Sequence, residues 1–360
     1  MLVHTTLCYL EHGDSYLMLH RTKKEKDVNK DKWIGIGGHL EDGESPEDGI
    51  RREAREETGY ELQGLSFRGI VTFVYGDITE YMDLFTASGF AGKAITECDE
   101  GDLEWMPKDR IFETNPAKAL NLWAGDKIFF RLLEAGEPFF SLKLVYSEDG
   151  ILREAALNGT PMELFDVLDA DGNRTGAVQE RGVCHREGDP HETVHMWVVR
   201  KGPDTGRYQV LLQKRSQIKD SNPGCYDISS AGHMAAGDDP LSSAIREIGE
   251  ELGLSVSADD LEYIGRHQGN FDDVFYGIPF HDREFSNVYL VRKEIQIEDL
   301  TLQESELESV CWMDYDACAR AVQENSIPHC IYPDEFRMVG EYLRGHYPPS
   351  LGQMSFNHHT

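Results

Sequence analysis

The chain has 360 residues, of which 35 are basic and 65 acidic, so its formal net charge is -30. This charge would repel a phosphate backbone and argues against duplex nucleic acid as a partner, and no apolar run is long enough to span a membrane. The length suits two domains of roughly 150 to 200 residues, and a hydrophobic content of 40% is enough for a core in each.

The seven cysteines are scattered, and none is spaced as CxxC. This usage indicates reduced thiols rather than a disulfide scaffold or a zinc site. The first residues alternate like a strand and lack the basic and apolar regions of a signal peptide. We therefore expect a cytoplasmic protein that binds neither nucleic acid polymers nor membranes.

In the first half, alternating segments at 2–10 and 16–20 predict a β-hairpin around the turn at 12–14. A basic loop at 21–32 leads into WIGIGG at 33–38. A helix is predicted to begin at Ser45 as N-cap, with Pro46 at the first helical position and Asp48 at the capping-box position. Further strands are predicted at 69–75, at 81–88, near Trp105 and within 139–152, and a helix over 124–134.

The periodic pattern fades at 153–161, which predicts one domain over 1–155 and another over 160–345. The second half is predicted to contain strands at 163–168, 194–200 and 210–214, with a turn at 169–172. Its helix begins at Asp239, followed by Pro240. One face of that helix is apolar, through Leu241, Ala244, Ile245, Ile248 and Leu252. Residues 346–360 carry no periodicity and are predicted to be a loose tail.

The two halves repeat one frame of polar and glycine positions at a constant offset. Gly38, Glu44, Arg52, Glu53, Glu56, Glu57 and Gly59 recur as Gly232, Asp238, Arg246, Glu247, Glu250, Glu251 and Gly253. The surrounding stretches, GGHLEDGESPEDGIRREAREETGY and AGHMAAGDDPLSSAIREIGEELGL, are otherwise divergent. Because charged surface helices diverge freely, a fixed spacing of this kind indicates chemistry.

Helical spacing places three glutamates of each frame on one face. Like charges at such short range repel one another unless a cation neutralises them, and hard oxygen ligands suit Mg²⁺, with Mn²⁺ as an alternative. Arg52 and Arg246 can orient the neighbouring glutamate. Gly38 and Gly232 let the loop backbone approach the metal. A solvated helix with charge pairs is the alternative, which the glycines and the second copy disfavour.

The frame, G-x5-E-x7-R-E-U-x-E-E-x-G-U with U usually apolar, resembles the Nudix box. The resemblance implies an α/β (α+β) protein with two Nudix folds in tandem, each a mixed sheet between helices. It further implies hydrolysis of a nucleoside diphosphate linked to another group, by attack of water at phosphorus. The implied metal ligands are Glu53, Glu56, Glu57, Glu247, Glu250 and Glu251. Arg52, Glu53, Arg246 and Glu247 would be catalytic, and Glu100 and Glu306 are candidate general bases or ordinary surface acids.

Residues 1–155 resemble MutT-type enzymes that hydrolyse oxidised purine nucleoside triphosphates, through WIGIGGHLEDGES, CDEGDLEW and NLWAGDKIFF. The resemblance implies that Trp123 stacks on the purine and that Asp126 reads the base edge, although a core tryptophan is an equal alternative. Two positions depart from the family pattern that binds the base: Gly125 replaces a second acid, and Ile34 replaces an asparagine. In the preceding loop, Arg21, Lys23 and Lys24 are candidate triphosphate contacts.

Residues 160–345 resemble the Nudix subgroup related to isopentenyl-diphosphate isomerase. The matching segments are FDVLDADG, HETVHMW, LLQKRS, GHMAAGDD, HDREFSNVYLV and the ExExV-like segment before Trp312. Within LLQKRS, the resemblance implies that Arg215 contacts the substrate. Isomerases carry a cysteine where this chain has Ala231, and their box is degenerate. Both departures favour hydrolysis, with isomerisation and non-catalytic nucleotide sensing as the rival functions. Asp238 in place of glutamate is expected to weaken turnover.

Residues 191–195 spell HETVH and match the HExxH pattern of zinc proteases. That chemistry requires a helix, whereas the surrounding residues predict a strand, so a protease is rejected. The isomerase resemblance instead implies an accessory metal site at His195 and His233. A buried, hydrogen-bonded histidine is the alternative for each.

Overall fold

A computed structural model of the chain describes residues 2–23, 27–95, 98–113, 118–203, 206–219 and 221–346. The chain divides into two compact units, Met1–Asp189 with Ile278–His281 and Pro190–Gly277 with Asp282–Thr360. Lys24 and the predicted tail beyond His346 lie outside the described residues. Among the described helices, none combines the length and the apolar character needed to cross a membrane.

The first unit begins with strands β1 (Leu2–His12), β2 (Ser15–His20) and β3 (Trp33–Ile34), followed by helix α1 (Pro46–Thr58). Strands β4 (Tyr60–Tyr75), β5 (Ile78–Gly92) and β6 (Asp102–Pro107) lead to helix α2 (Ala124–Glu134). The unit continues with β7 (Phe140–Tyr146), β8 (Leu152–Leu157), β9 (Thr160–Pro161), β10 (Leu164–Leu168), β11 (Arg174–Glu180) and α3 (Arg181–Glu187). The hairpin predicted at the start and the helix predicted over 124–134 are therefore present.

The sheet of the first unit has the strand order β3-β2-β1-β5-β4-β7-β8-β9, with β6 paired to β2. Strand β1 pairs antiparallel with β2 and parallel with β5, so the sheet is mixed. Helix α1 contributes the buried side chains of Ile50 and Ala54 to the core that contains Cys8, Leu10 and Phe85. This packing holds the charged face of α1 away from the sheet.

The second unit contains strands β12 (His191–Lys201), β13 (Tyr208–Arg215), β14 (Tyr226–Asp227) and β15 (Ser230–His233), followed by helix α4 (Pro240–Leu252). Strands β16 (Leu261–Phe275), β17 (Ile278–Arg292) and β18 (Leu307–Asp314) precede helices α5 (Tyr315–Gln323) and α6 (Pro333–His346). The strand order is β14-β13-β12-β17-β16, with β15 paired to β12 and β18 paired to β13. Strand β12 pairs parallel with β17, as β1 does with β5.

The predicted helix starts of both frames are confirmed. Ser45 and Asp48 form a reciprocal capping box before Pro46, and the Asp239 side chain accepts a hydrogen bond from the Ser242 N–H. Each frame helix ends at a glycine in the left-handed region, Gly59 with φ 75° and Gly253 with φ 63°. Glycine has no Cβ to clash in that conformation, which explains the last glycine of each frame.

The first compact unit continues beyond the domain boundary predicted at 153–161. Strand β8 pairs with β7 in the first sheet, which places these residues inside the unit. Further along the chain, Glu180 forms an ion pair of 3.1 Å with Arg131 on α2, and Glu187 forms an ion pair of 2.5 Å with Lys127. The periodicity of the sequence does not reveal such contacts, because they join residues about 50 to 60 positions apart. The division into domains at 155 and 160 stays a prediction.

Candidate active sites

Three of the four acidic side chains of the first frame surround a single arginine on α1. Arg52 Nε lies 2.8 Å from Glu44 Oε1, and Arg52 Nη1 lies 2.8 Å from Glu53 Oε1 and 3.3 Å from Glu56 Oε2. Its Nη2 also donates to the carbonyl oxygen of His39 at 2.9 Å. These bonds lower the pKa of Glu44 and raise that of Arg52. Arg52 thus fixes the orientation of Glu53 and partly offsets the repulsion among the carboxylates.

The glycine loop binds one glutamate of the first frame through its backbone and leaves room for another. The Gly37 N–H donates to Glu57 Oε2 at 3.0 Å. A Cβ added at Gly38 would lie 2.5 Å from Glu53 Oε1. Because real side chains do not approach so closely, only glycine at position 38 allows Glu53 its position beside the loop.

A cavity of about 370 Å³ adjoins the first frame. Its lining joins the frame residues Arg52 and Glu53 with Arg21 and Glu100. Arg21 forms an ion pair with Glu100 and a second one, of 2.7 Å, with Asp27. The candidate base Glu100 therefore borders the same cavity as the frame, although it lies 41 or more positions away in sequence. Lys23 Nζ donates to the carbonyl oxygen of Cys98 at 2.5 Å.

The same cavity is lined by Trp123 and Asp126, the predicted base-binding residues. Trp123 is 7% exposed, and its Nε1 donates to Asn29 Oδ1 at 2.8 Å. The Lys32 ammonium lies over its ring, 4.4 Å from the centroid. Burial raises the pKa of Asp126 to about 7, an effect that Lys32 opposes. Trp123 thus borders the cavity and also packs in the core, so both predicted roles remain open to it.

The two departures from the MutT-type pattern have structural consequences. A Cβ at Gly125 would lie 2.5 Å from Leu144 Cδ1 and 2.6 Å from the hydroxyl oxygen of Tyr146. The Gly125 N–H donates to that hydroxyl at 2.8 Å. No acidic side chain can therefore occupy position 125 in this packing. Ile34 lines the cavity and presents an apolar side chain there.

The second frame repeats this geometry with a more exposed arginine. Arg246 Nη1 lies 2.7 Å from Glu247 Oε1 and 3.4 Å from Glu250 Oε2, and its side chain is 41% exposed against 21% for Arg52. A Cβ at Gly232 would overlap the carboxyl group of Glu247. Glu251 is the counterpart of Glu57.

The Ala231 N–H donates to Glu251 Oε2 at 3.2 Å, as the loop amide does in the first frame. Burial raises the pKa of Glu251 to about 8, and the charges of Glu247 and Glu306 add to this effect. The candidate base Glu306 therefore acts electrostatically on the second frame. Glu306 forms an ion pair with Lys219, while Arg215 is held by Asp227 at 3.1 Å.

The histidines of HETVH lie on strand β12, which confirms that this segment is not a zinc-protease helix. His195 Nδ1 lies 2.8 Å from Glu335 Oε2 in the core. The His191 and His233 rings stack at 5.4 Å, and ligand atoms of these two histidines and Asp282 lie within 4.8 Å of one another. A cation held by histidines near the second frame would thus involve His191 and His233, whereas the isomerase resemblance implies a site at His195 and His233.

Several cavity residues were not identified from sequence. Tyr9 on β1, Asn29 in the basic loop and Phe73 on β4 all line the first cavity. Lys32 reaches the Trp123 ring. No spacing pattern singles out these residues, and only the fold brings them to the frame.

Comparison with known proteins agrees with this geometry. The NUDIX domain model matches residues 2–133 and 189–331, one match for each frame. The chain is 43% identical over 156 residues to Nudix hydrolase 3 of Arabidopsis thaliana, which covers 43% of this chain and 19% of that relative. It is 30% identical over 131 residues to the oxidized purine nucleoside triphosphate hydrolase of Mus musculus, covering 36% of this chain and 80% of the relative.

A solved structure, the MutT protein from Bacillus halodurans, is similar with a TM-score of 0.38 and 27% identity, covering 44% of this chain and 99% of that chain. The chain spans only about a fifth of the length of the relative from Arabidopsis thaliana. The NUDIX matches and the hydrolase relatives support a pyrophosphohydrolase, a hydrolase that acts on acid anhydrides. With two family matches that together cover more than half of its length, the chain belongs to the NUDIX family and carries two NUDIX domains in tandem.

Proposed function

We propose that the chain is a metal-dependent pyrophosphohydrolase with a catalytic site in each NUDIX domain, cleaving diphosphate linkages of nucleotide substrates. The repeated arrangement of each frame carries this proposal. In both copies an arginine contacts two frame glutamates, a loop amide holds a third, and a glycine leaves room for the first. A surface helix that lacked a site would have no need of a glycine beside a carboxylate.

The donor set fits a divalent cation. Carboxylate oxygens are the hard ligands that Mg²⁺ prefers, and Mn²⁺ is a chemically similar alternative. The residues that would hold the ions are Glu53, Glu56 and Glu57 in the first site and Glu247, Glu250 and Glu251 in the second. Such an ion, when bound, withdraws charge from the phosphate oxygens and favours attack at phosphorus.

The protein residues would orient the substrate and take a proton from the attacking water. Arg52 fixes Glu53 beside the glycine loop, at 2.8 Å. Glu100 is the proposed general base of the first site, because it lines the same cavity as Arg52 and Glu53. Glu306, paired with Lys219, is its proposed counterpart in the second site.

For the first site we propose hydrolysis of 8-oxo-(d)GTP to the monophosphate and diphosphate. Trp123 and Asp126 line the cavity that also contains Arg52 and Glu53, so a purine near Trp123 and a phosphate chain near the frame fit one ligand. The name of the mouse relative, an oxidized purine nucleoside triphosphate hydrolase, supports this substrate class. Arg21 is the proposed contact for the triphosphate, with Lys23 following it in the same loop.

For the second site we propose hydrolysis of a different nucleotide or diphosphate. Ala231 occupies the position of the isomerase cysteine and offers no side chain for proton transfer, which argues against isomerisation. The second frame keeps the contacts of the first, including those of Glu247 and Glu250 with Arg246. This conservation of geometry favours turnover over ligand sensing.

Two single variants test the assignment. Glu56→Gln and Glu250→Gln each remove one metal-ligand charge with little change of shape, and each should abolish one of two separable activities in a magnesium assay with 8-oxo-dGTP, ADP-ribose and other nucleotides. Glu61→Gln and Glu294→Gln, both exposed, serve as controls. Release of products by the double variant at the wild-type rate would refute the assignment.

A further inference from the structure

A tyrosine hydroxyl is buried on the wall of the first cavity. Tyr9 lies on β1, is fully buried, and lines the cavity together with Gly35, Trp123 and Asp126. Its hydroxyl has no hydrogen-bond partner among the described residues. Since buried polar groups are almost always paired, this hydroxyl is suited to a partner that arrives with the ligand.

The ring of Tyr9 is held firmly, and its hydroxyl end faces the glycine loop. The ring packs against Phe130 at a centroid distance of 4.6 Å, Tyr16 at 5.6 Å and Phe129 at 5.8 Å. A Cβ built on Gly35 would lie 3.1 Å from Tyr9 Cζ, the carbon that carries the hydroxyl. The hydroxyl therefore sits beside the segment that leads into the first frame.

The environment keeps this hydroxyl neutral and leaves its proton available. Burial and, to a lesser extent, the charge of Asp126 raise the pKa of Tyr9 well above its usual value. A neutral phenol keeps its O–H, so this hydroxyl can donate a hydrogen bond to a ligand.

We propose that Tyr9 donates a hydrogen bond from its hydroxyl to a carbonyl oxygen of the base and thereby selects oxopurine over aminopurine nucleotides. The inference rests on the proposed function of the first site and names a specificity residue for it. An exocyclic amino group at the same place would also be a hydrogen-bond donor, so it could not accept a hydrogen bond from the Tyr9 hydroxyl. Ile34 offers no polar group on this wall and Gly125 no side chain, so Tyr9 supplies a contact that they do not.

Tyr9→Phe tests the proposal because it removes one oxygen and keeps the ring. Tyr16→Phe is the matched control, because Tyr16 is 4% exposed and packs on Phe130 as Tyr9 does. Tyr16 lies on strand β2 and does not line the cavity, and the Lys108 ammonium lies 4.4 Å from its ring centroid. We expect Tyr9→Phe to lower kcat/KM for dGTP and 8-oxo-dGTP about tenfold. Turnover of dATP should change much less, and Tyr16→Phe should alter neither.

Two further measurements separate base recognition from other effects. Inhibition by inorganic tripolyphosphate, which lacks a base, should be the same for Tyr9→Phe and wild type. Thermal melting without nucleotide should show the variant to be as stable as wild type or more stable, because an unpaired buried hydroxyl has been removed. A variant that melts lower and loses activity towards every nucleotide equally would point to a packing role and overturn the proposal.

A different result is expected if the proposed hydrolase activity itself is wrong. If the wild-type protein hydrolysed none of the nucleotides, the reaction would be wrongly assigned, and calorimetric binding of dGTP and dATP would then decide the role of Tyr9. A preference for dGTP that is lost in Tyr9→Phe would uphold the inference. Equal binding of the two nucleotides by wild type, or a preference unchanged in the variant, would overturn it.

Discussion

Glu57 accepts a hydrogen bond of 3.0 Å from the backbone N–H of Gly37, so the glycine loop and the last glutamate of the first frame are fixed to each other. Glu251 and Ala231 form the same bond at 3.2 Å in the second domain. This bond is made by the backbone and does not depend on the side chain at the loop position, which differs between the copies. The loop and helix of each site therefore form one unit.

Gly232→Ala should abolish activity at the second site without unfolding the protein. The new Cβ would overlap the carboxyl group of Glu247, which must then move away from the loop. Product release and thermal melting are the measurements. Gly249→Ala, in the same region, is the control: a Cβ there meets nothing within 4 Å, and alanine should stabilise the helix by roughly 0.5–1 kcal/mol. Full activity of Gly232→Ala would show that Glu247 need not lie beside the loop.

Arg52→Lys should impair the first site more than Arg246→Lys impairs the second. Arg52 contacts three carboxylates and a carbonyl oxygen, and lysine cannot reproduce the two-pronged contact with Glu44. Arg246 is twice as exposed, with two of its contacts at 3.4 Å. The measurement is the ratio of variant to wild-type kcat at each site. Equal losses would show that the contacts of Arg52 with Glu44 add nothing to catalysis.

Asp126 should make the protein less stable as the pH rises from about 4 to 7. Its pKa is raised from 3.8 to about 7 in the folded state, so over this range the folded chain binds more protons at Asp126 than the unfolded chain does. The stabilisation that protonated Asp126 contributes is fully present below the pKa of Asp126 in the unfolded chain. It is lost as the pH rises towards the pKa of Asp126 in the folded chain, by at most about 4 kcal/mol. Urea unfolding of Asp126→Asn and wild type at several pH values measures this.

The stability difference between Asp126→Asn and wild type should therefore shift in favour of the variant as the pH rises from 5 to 7. Asp149→Asn is the control, since its carboxylate is exposed and its pKa is lowered by a hydrogen bond from Ser147. A pH-independent difference between Asp126→Asn and wild type would show that Asp126 titrates normally.

Magnesium should raise the melting temperature of the protein, because a cation that binds only the folded state stabilises it in proportion to the logarithm of its concentration. The frame carboxylates supply the binding charge, and removing the metal with a chelator should reverse the shift. Glu56→Gln should diminish the shift, while Glu61→Gln, whose side chain is exposed and paired with Arg55, should leave it unchanged. An identical shift in both variants would place the ion elsewhere.

The amino-acid sequence by itself determined the features that depend on local spacing. The caps at Ser45 and Asp239 and the convergence of glutamates on one face of α1 and α4 follow from a helical period that the sequence displays. The strand character of HETVH follows in the same way from its neighbours. Because both frames carry their own glycines and helix caps, the tandem arrangement can also be recognised from the sequence alone.

Only the tertiary structure decided which distant residues meet at each site. The pairing of Arg21 with Glu100, the stacking of His191 on His233 and the position of Tyr9 beside Gly35 join residues that no periodic pattern relates. Such contacts depend on strand order and on the packing of loops over the sheet, which involve the whole domain at once. A local sequence pattern can identify the acidic face of a helix, but the walls of the cavity beside it arise from long-range packing.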